Sequence, residues 1–312
     1  MRNMRFALPV LLAGLACLAV ACGDDPRTAS PAAAEQESTV YTSFYPTAYF
    51  TRRIAGETLR VVCPLPPDAD PVFWQPSRET VQALQAADLI VLNGAGFEQW
   101  TQAVSLPESR VVDTSRALEE ELITYETVTH SHGGGGEHTH EGLDGHTWLD
   151  PLQAKMQARA IRDALRARFP ERSAAYAGGF DALARDFDGL HARLTEIAAK
   201  LEGVRLLCSH PAYNYLARRY GWEVQSFDLD PAEALDTEQL EHVVEHASGA
   251  TLLLWESAPL AATAEALAAR GVTSVVFSPG ELLDPADEAA GLDYLGLMRR
   301  NLERLETAAS GR

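Results

Sequence analysis

Positive charge is scarce in this sequence, which has 26 lysines and arginines against 44 aspartates and glutamates among its 312 residues. The formal net charge is −18 with histidine counted as neutral. Nucleic-acid-binding surfaces depend on clustered lysine and arginine, so the composition argues against a nucleic-acid partner. An acidic surface suits a soluble body held off an anionic membrane, and it attracts cations diffusely.

Long hydrophobic runs are also missing. The apolar run at 6–20 is too short for a membrane-spanning helix, and Arg2 and Arg5 precede it, which is the layout of a secretory signal. The run leads to Leu18-Ala-Val-Ala-Cys22, a segment that resembles a bacterial lipobox, in which the cysteine is lipidated and becomes the first mature residue. An ordinary signal peptide cleaved just before this cysteine is the alternative.

We therefore expect a signal peptide at 1–21 and a lipidated tether at 22–38. The Asp, Pro, Ala and Ser content of the tether is typical of disordered linkers. A lipid on Cys22 would anchor the protein in the cell envelope, facing the periplasm or the outside of the cytoplasmic membrane.

Cysteine is scarce as well, with four in the chain. Cys17 lies in the signal segment and Cys22 carries the lipid, so the mature protein keeps Cys63 and Cys208. In an oxidising compartment such a pair is more often a disulfide than two free thiols, and here it would link the two halves of the chain. Metal ligation by the thiolates is the alternative, because Cys208 is two residues from His210.

Histidine is concentrated in one place. Five of the nine histidines fall within 130–146, in a stretch otherwise made of small and polar residues. They are His130, His132, His138, His140 and His146. Neutral imidazole is a standard zinc ligand, so the pattern indicates a His-rich metal-handling loop at 129–145. A solvated low-complexity loop with no metal role is the alternative.

Short apolar strands alternate with amphipathic helices along the rest of the chain, which predicts an α/β fold with mostly parallel sheets. Strands are predicted at 40–44, 59–63, 89–92, 110–112, 204–208, 223–227, 251–255 and 274–277. Helices are predicted at 46–55, 78–87, 210–220, 236–247, 261–270 and 291–305.

One long helix divides this pattern. From Tyr176 to Leu201 the apolar residues alternate between spacings of four and three, which predicts a single helix of about 40 Å with one buried stripe. Gly178 and Gly179 are expected to weaken its first turns by about 1 kcal/mol each. We predict an N-terminal lobe at 39–172, a rigid connecting helix at 173–202 and a C-terminal lobe at 203–312.

Two histidines are predicted to face the cleft between these lobes. His210 follows a predicted strand, and ligands of open α/β sheets bind at the carboxyl ends of the strands. His146 lies at the corresponding edge of the first lobe. Imidazole ligands should lose metal as the pH falls through about 6.5. Purely structural histidines are the alternative.

Four segments resemble the zinc- and manganese-specific substrate-binding proteins of bacterial ABC importers: 43–46 (SFYP), 87–98 (ADLIVLNGAGFE), 146–151 (HTWLDP) and 209–221 (SHPAYNYLARRYG). The resemblance implies two α/β lobes bridged by one long helix and a divalent ion in the cleft, held for zinc by three His and one carboxylate. It also implies a mobile His-rich loop, a permease and its ATPase as partners, and a monomeric protein.

The chain departs from this family at two ligand positions. Val72 stands where the first His is expected, and Ser278 stands where the last carboxylate is expected. Valine cannot ligate, and a serine hydroxyl is a poor zinc ligand. His146 and His210 are retained.

These departures leave three hypotheses for what the cleft binds. The favoured one is a rebuilt or partial metal site that recruits Glu281, with Asp284, Cys63 and Cys208 as further candidates. In the second, the metal is held mainly by His146, His210 and the loop. In the third, the cleft takes another ligand against an apolar lining of Phe73, Trp74 and Trp148.

The function expected from the sequence is capture of zinc, or alternatively manganese or another divalent ion, for an ABC importer. A zinc-storage or metallochaperone protein is the alternative. An enzyme is not expected, because no general acid or base motif accompanies the histidines.

Anchoring can be tested directly. The Cys22→Ala variant should remain uncleaved or become soluble, because the acyl chains that hold the mature protein in the membrane have no attachment point. Detergent phase partitioning measures this, and unchanged partitioning of the variant would contradict lipidation at Cys22.

Overall fold

Strands and helices alternate through the computed structural model, which describes residues 38–132 and 136–311 and, of these, the side chains outside 125–141. All elements below belong to the unit Glu37–Arg312. The described strands are β1 Thr39–Thr42, β2 Arg60–Val62, β3 Leu89–Leu92, β4 Val111–Asp113, β5 Thr124–His132, β6 Gly136–Leu143, β7 Arg205–Cys208, β8 Val224–Ser226, β9 Thr251–Trp255 and β10 Val272–Val276.

The described helices connect these strands. They are α1 Tyr45–Ala55, α2 Arg78–Ala86, α3 Pro151–Arg168, α4 Ser173–Lys200, α5 Asn214–Tyr220, α6 Thr237–Glu245, α7 Ala261–Ala268, α8 Pro285–Ala289 and α9 Tyr294–Ser310. Several begin with a side-chain cap: Ser77 accepts a hydrogen bond from the backbone N–H of Thr80, and Asp150 from that of Leu152.

Two four-stranded sheets form the framework, and every pairing within them is parallel. The strand order is β2-β1-β3-β4 in the first lobe and β10-β9-β7-β8 in the second. The order reverses between β1 and β3 and again between β7 and β9. Parallel sheets bind ligands beyond the carboxyl ends of the strands where the strand order reverses. The topology alone therefore predicts a ligand site at the carboxyl end of the strands in each sheet.

The helix α4 joins the lobes and matches the predicted stripe. It runs for 28 residues, about 42 Å at 1.5 Å per residue. The apolar residues predicted to face inward are all buried, namely Tyr176, Phe180, Leu183, Phe187, Leu190, Leu194, Ile197 and Leu201. They belong to one core that also contains apolar side chains of α1, α3 and α9. Burial of this stripe holds the two sheets in one packed body.

The predicted helix at 210–220 begins later than expected. Its first turn starts at Asn214, so His210 lies in the loop between β7 and α5. Residues 211–213 form a turn, in which the backbone N–H of Ala212 donates a hydrogen bond to the carbonyl of His210. His210 is thereby placed directly beyond the sheet edge.

The His-rich stretch lies on paired backbone. The strands β5 and β6 are antiparallel, with His130 opposite His138 in the register. The side chains of His130, His132, His138 and His140 fall outside the described part of the structure, so the predicted loop function stays a prediction.

The predicted disulfide is wrong. Cys63 and Cys208 are both free thiols. Cys208 ends β7 and is fully buried in the main core, whereas Cys63 follows β2 in the other sheet. Burial raises the pKa of both thiols, which disfavours the reactive thiolate. None of the helices in the described part of the chain combines the length and apolar character that crossing a bilayer requires.

Gly178 and Gly179 have different roles. A methyl group on Gly179 would lie 2.4 Å from the carbonyl oxygen of Ile54 in α1, whereas one on Gly178 would meet nothing within 4 Å. Gly179 therefore permits the close packing of α4 against α1. Gly178 only weakens the helix.

This difference predicts opposite effects of the same substitution. Gly178→Ala should stabilise the protein by up to about 1 kcal/mol through helix propensity. Gly179→Ala should destabilise it by about 1–3 kcal/mol, because the α1 backbone must move. Urea unfolding of the two variants measures both effects, and equal stability would contradict the assignment.

Candidate metal centre

One cavity brings together the polar side chains at the sheet edges. It has a volume of about 230 Å³. It is lined by Asp70, Pro71, Val72, Phe73, His146, His210, Glu256, Glu281 and Leu282. Its wall therefore combines two imidazoles and three carboxylates with an apolar remainder.

The second lobe supplies three of these groups from three neighbouring strands. Glu256 directly follows β9, His210 lies two residues beyond β7, and Glu281 lies five residues beyond β10. The strands pair in the order β10-β9-β7 and are parallel, so all three side chains emerge at one edge. This edge is the one selected by the strand order.

The first lobe supplies His146, whose orientation is fixed by a buried carboxylate. Asp144 is fully buried, and one of its oxygens lies 3.0 Å from the His146 backbone nitrogen and 2.8 Å from Nδ1 of the ring. Its other oxygen accepts a hydrogen bond of 3.0 Å from the Asn214 amide. A carboxylate bonded to Nδ1 leaves Nε2 to face a ligand, which is the usual arrangement behind metal-bound histidines.

Both imidazoles and Glu281 meet in the cavity. Nε2 of His146 lies 3.1 Å from Oε1 of Glu281. The ring centroids of His146 and His210 are 5.6 Å apart, with an angle of 74° between the planes. Side chains from the two lobes are thus close enough to converge on one small ion once the contact between His146 and Glu281 is exchanged for metal ligation.

The turn that carries Glu281 is held by contacts from both lobes. The indole N–H of Trp148 donates to the Pro279 carbonyl at 2.8 Å, and the Tyr213 hydroxyl donates to the Phe277 carbonyl at 2.6 Å. The Asn301 amide exchanges two hydrogen bonds with the backbone of Ser278. These bonds fix the backbone of the turn and therefore the point from which Glu281 enters the cavity.

The electrostatics of the cavity follow from its charges and its burial. Burial opposes the charged form of His146, but the hydrogen bonds to Asp144 and Glu281 outweigh it and raise the pKa of the ring to about 10. Burial raises the pKa of Glu256 to about 7, and the nearby charges of Glu281, Asp230 and Asp70 act in the same direction. Negative charge is crowded here, which favours a cation.

Several residues expected at the site lie elsewhere. The Ser278 hydroxyl accepts the backbone N–H of Gly280 at 3.3 Å and does not line the cavity. Asp284 caps α8 by accepting the N–H of Ala286, which directs its carboxylate to the helix. Cys63 and Cys208 also lie outside the cavity lining.

The apolar lining expected from the sequence is present only in part. Phe73 and Val72 line the cavity. Trp74 packs against Trp100 instead, with ring centroids 6.0 Å apart. Trp148 is fully buried beside the His146 ring, at 5.2 Å between ring centroids. Of the three aromatic residues expected to line an apolar ligand site, only Phe73 therefore lines the cavity.

Glu256 and Asp70 line the cavity but are not among the site residues predicted from the sequence. Glu256 could have been found, because it is the first residue after a five-residue apolar strand, at the place where α/β sheets bind ligands. Asp70 lies in a proline-rich loop with no regular pattern, so only the fold brings it to the cavity. Among the described residues no three His, Cys, Asp or Glu side chains already have the spacing of metal ligands, in keeping with the direct contact between His146 and Glu281.

A protein-family model matches residues 40–308 of this chain, and its description is ZnuA, zinc-uptake complex component A, periplasmic. The chain belongs to this family. The resemblance seen in the sequence is therefore confirmed, and it rests on nearly the whole of the described region.

Two curated relatives cover almost all of the chain. The zinc-binding lipoprotein AdcA of Streptococcus pneumoniae is 28% identical over 310 residues, which cover 96% of this chain and 60% of AdcA. The high-affinity zinc uptake system protein ZnuA of Bacillus subtilis is 26% identical over 317 residues, which cover 95% of each. The chain thus spans 60% of the length of AdcA and nearly all of the B. subtilis protein.

Solved structures share the fold. The Zn(II)-bound ZnuA-like domain of S. pneumoniae AdcA has a TM-score of 0.75 at 24% identity, covering 88% of this chain and 99% of that domain. The metal-dependent lipoprotein YcdH from B. subtilis has a TM-score of 0.74 at 23% identity, covering 86% and 98%. The predicted fold, two α/β lobes with parallel sheets joined by one long helix, is confirmed.

The raised pKa of His146 predicts how pH acts on a metal at Nε2. The metal displaces a proton, so its affinity should rise by about tenfold per pH unit above about pH 6.5 and level off only near the pKa of about 10. This extends the dependence expected from an ordinary imidazole to higher pH. The stability of the metal-free protein depends on pH in the opposite direction. The raised pKa of His146 stabilises the folded protein below about pH 6.5, and this contribution is lost as the pH rises towards 10.

Chelator competition at a series of pH values measures the affinity. The control is Asp144→Asn, which removes the hydrogen-bonded charge beside His146, lowers the pKa of the ring and should shift the rise to lower pH. An affinity in the unchanged protein that does not vary between about pH 7 and 9 would contradict this prediction.

Proposed function

We propose that this protein is the substrate-binding component of an ABC importer and that it captures zinc between its two lobes. His146, His210 and Glu281 hold the ion, and the loaded protein presents it to the permease, which its ATPase drives. The observation that carries the proposal is the meeting of two imidazoles from opposite lobes with a carboxylate in one cavity of about 230 Å³.

The donor chemistry supports zinc. Imidazole nitrogen and carboxylate oxygen are both common zinc ligands, and Asp144 provides the outer hydrogen bond that orients a ligating histidine. The relatives named as zinc-binding and zinc-uptake proteins support the same metal. Manganese is the alternative cargo.

The envelope location is part of the proposal. The lipid on Cys22 holds the protein at the outer face of the cytoplasmic membrane, as a monomer, and the tether gives it reach towards the permease. The lipoprotein name of the S. pneumoniae relative supports this placement. No catalytic step is assigned, because capture and release need only reversible ligation.

Zinc storage on the His-rich stretch is the second candidate. The concentration of four of the nine histidines within 130–140 favours it. It differs from the first candidate in one respect: storage requires the stretch itself, whereas capture for import requires the cleft. Deleting 129–141 therefore separates the two.

With this stretch deleted, zinc should still raise the melting temperature, because an ion held from both lobes binds only the folded protein. Zinc at about 100 times its dissociation constant adds about 2.7 kcal/mol to the stability. The shift should vanish in His146→Ala and in His210→Ala. Differential scanning fluorimetry with and without zinc measures it.

The matched control is His242→Ala, since His242 is exposed on α6 and lies outside the cavity lining. This variant should keep the full shift. If the deletion alone abolishes the shift, storage on the His-rich stretch is the better account. If both cleft variants keep it, the cleft does not hold zinc.

A further inference from the structure

The cavity lining contains two carboxylates besides the three proposed ligands. Zinc in proteins is most often held by four ligands, and His146, His210 and Glu281 provide three. This inference rests on the proposed function, since it concerns the fourth position of the same centre. The donor for that position must line the same cavity.

Two polar side chains of the lining remain, Asp70 and Glu256. Asp70 is exposed, and its Oδ1 accepts the backbone N–H of Val72 at 2.8 Å and of Phe73 at 3.3 Å. That carboxylate therefore holds the shape of the loop that carries Val72 and Phe73. Glu256 caps no helix, and its position points to the centre instead.

Glu256 emerges between the two ligands of its own lobe. It follows β9, which pairs with β10 on one side and β7 on the other. The strand β10 leads to Glu281 and β7 leads to His210. A side chain at the end of the middle strand thus enters the cavity between the other two donors, and it is partly buried there.

We propose that Glu256 is the fourth ligand, so that the centre consists of two imidazoles and two carboxylates. The two carboxylates balance the charge of a divalent ion. A cation held by both would also offset the repulsion between these two carboxylates, which share the cavity wall with Pro71, Val72 and Leu282.

This donor set has a consequence for the choice of metal. Carboxylate oxygen suits manganese better than imidazole does, and imidazole suits zinc. A centre with two of each discriminates less between zinc and manganese than one with three imidazoles. Glu256 is therefore a determinant of specificity, in addition to its contribution to affinity.

The first test is Glu256→Gln in the full chain, with zinc affinity measured by competition against a chelator strong enough to strip the His-rich stretch. Even the groups behind metal ligands contribute about 10- to 100-fold, so loss of a ligand should weaken zinc binding by about 100-fold or more. The exposed Glu233→Gln carries the same change of charge and should bind as the unchanged protein does. Zinc affinity of Glu256→Gln within about twofold of Glu233→Gln overturns the proposal.

The second test separates a ligand from a distant negative charge. Val72 lines the cavity, so adding Val72→His to Glu256→Gln supplies a neutral donor without restoring the charge. Zinc affinity should return, and the ratio of zinc to manganese affinity should rise at least about tenfold over that of the unchanged protein. X-ray absorption of bound zinc should then count three imidazoles instead of two.

The outcomes also distinguish this inference from the function on which it rests. If His146→Ala and His210→Ala bind zinc normally, the proposed function fails. If those two lose zinc while Glu256→Gln keeps it, only the role of Glu256 fails. If the double variant binds as weakly as Glu256→Gln, the glutamate acts through its charge and is not a ligand.

Discussion

The buried carboxylate of Asp144 is the group on which the geometry of the cleft depends. One oxygen holds His146 through both its backbone and its ring, and the other accepts the amide of Asn214. The backbone carbonyl of Asp144 accepts the Tyr215 hydroxyl at 2.6 Å. A loop of the first lobe is therefore fastened to α5 of the second. Because Asp144 is inaccessible to water, these hydrogen bonds are not exchanged for solvent, and the ring of His146 has one orientation.

The two lobes repeat one arrangement of strands, which places a reversal of strand order in each sheet. In each sheet the first strand is flanked by the second on one side and by the third and fourth on the other. Each sheet thus has its own reversal of strand order, and the one in the second lobe borders the cavity, where His210 follows β7 and Glu256 follows β9. The long helix α4 packs its buried stripe into the core that both sheets share, and Gly179 lets α1 approach it closely. The same hydrophobic core therefore packs the connecting helix α4 and holds the two sheets that border the cavity.

The turn after β10 combines a hydrogen-bonded backbone with a carboxylate that lines the cavity. The Ser278 backbone is bonded on both sides by Asn301, and its hydroxyl closes the turn onto Gly280. The carboxylate comes from Glu281, three residues further on. In the loop at 70–73, Val72 contributes only apolar surface. The acids that the second lobe brings to the cavity therefore follow two neighbouring strands, Glu256 after β9 and Glu281 after β10.

The sequence by itself determined the α/β class and the long helix, and it predicted that His146 and His210 face one cleft. The alternation of apolar runs and the four-three spacing from Tyr176 to Leu201 are local patterns, which can be recognised in the sequence without knowledge of the fold. It left open which acids join His146 and His210, and it favoured a disulfide between Cys63 and Cys208 that the structure does not form. Those questions depend on distances between segments more than 40 residues apart. Only the tertiary structure places Glu256 beside Glu281, turns Asp284 to a helix cap and puts the two thiols in separate sheets, because packing of the sheets onto α4 decides which strand ends meet.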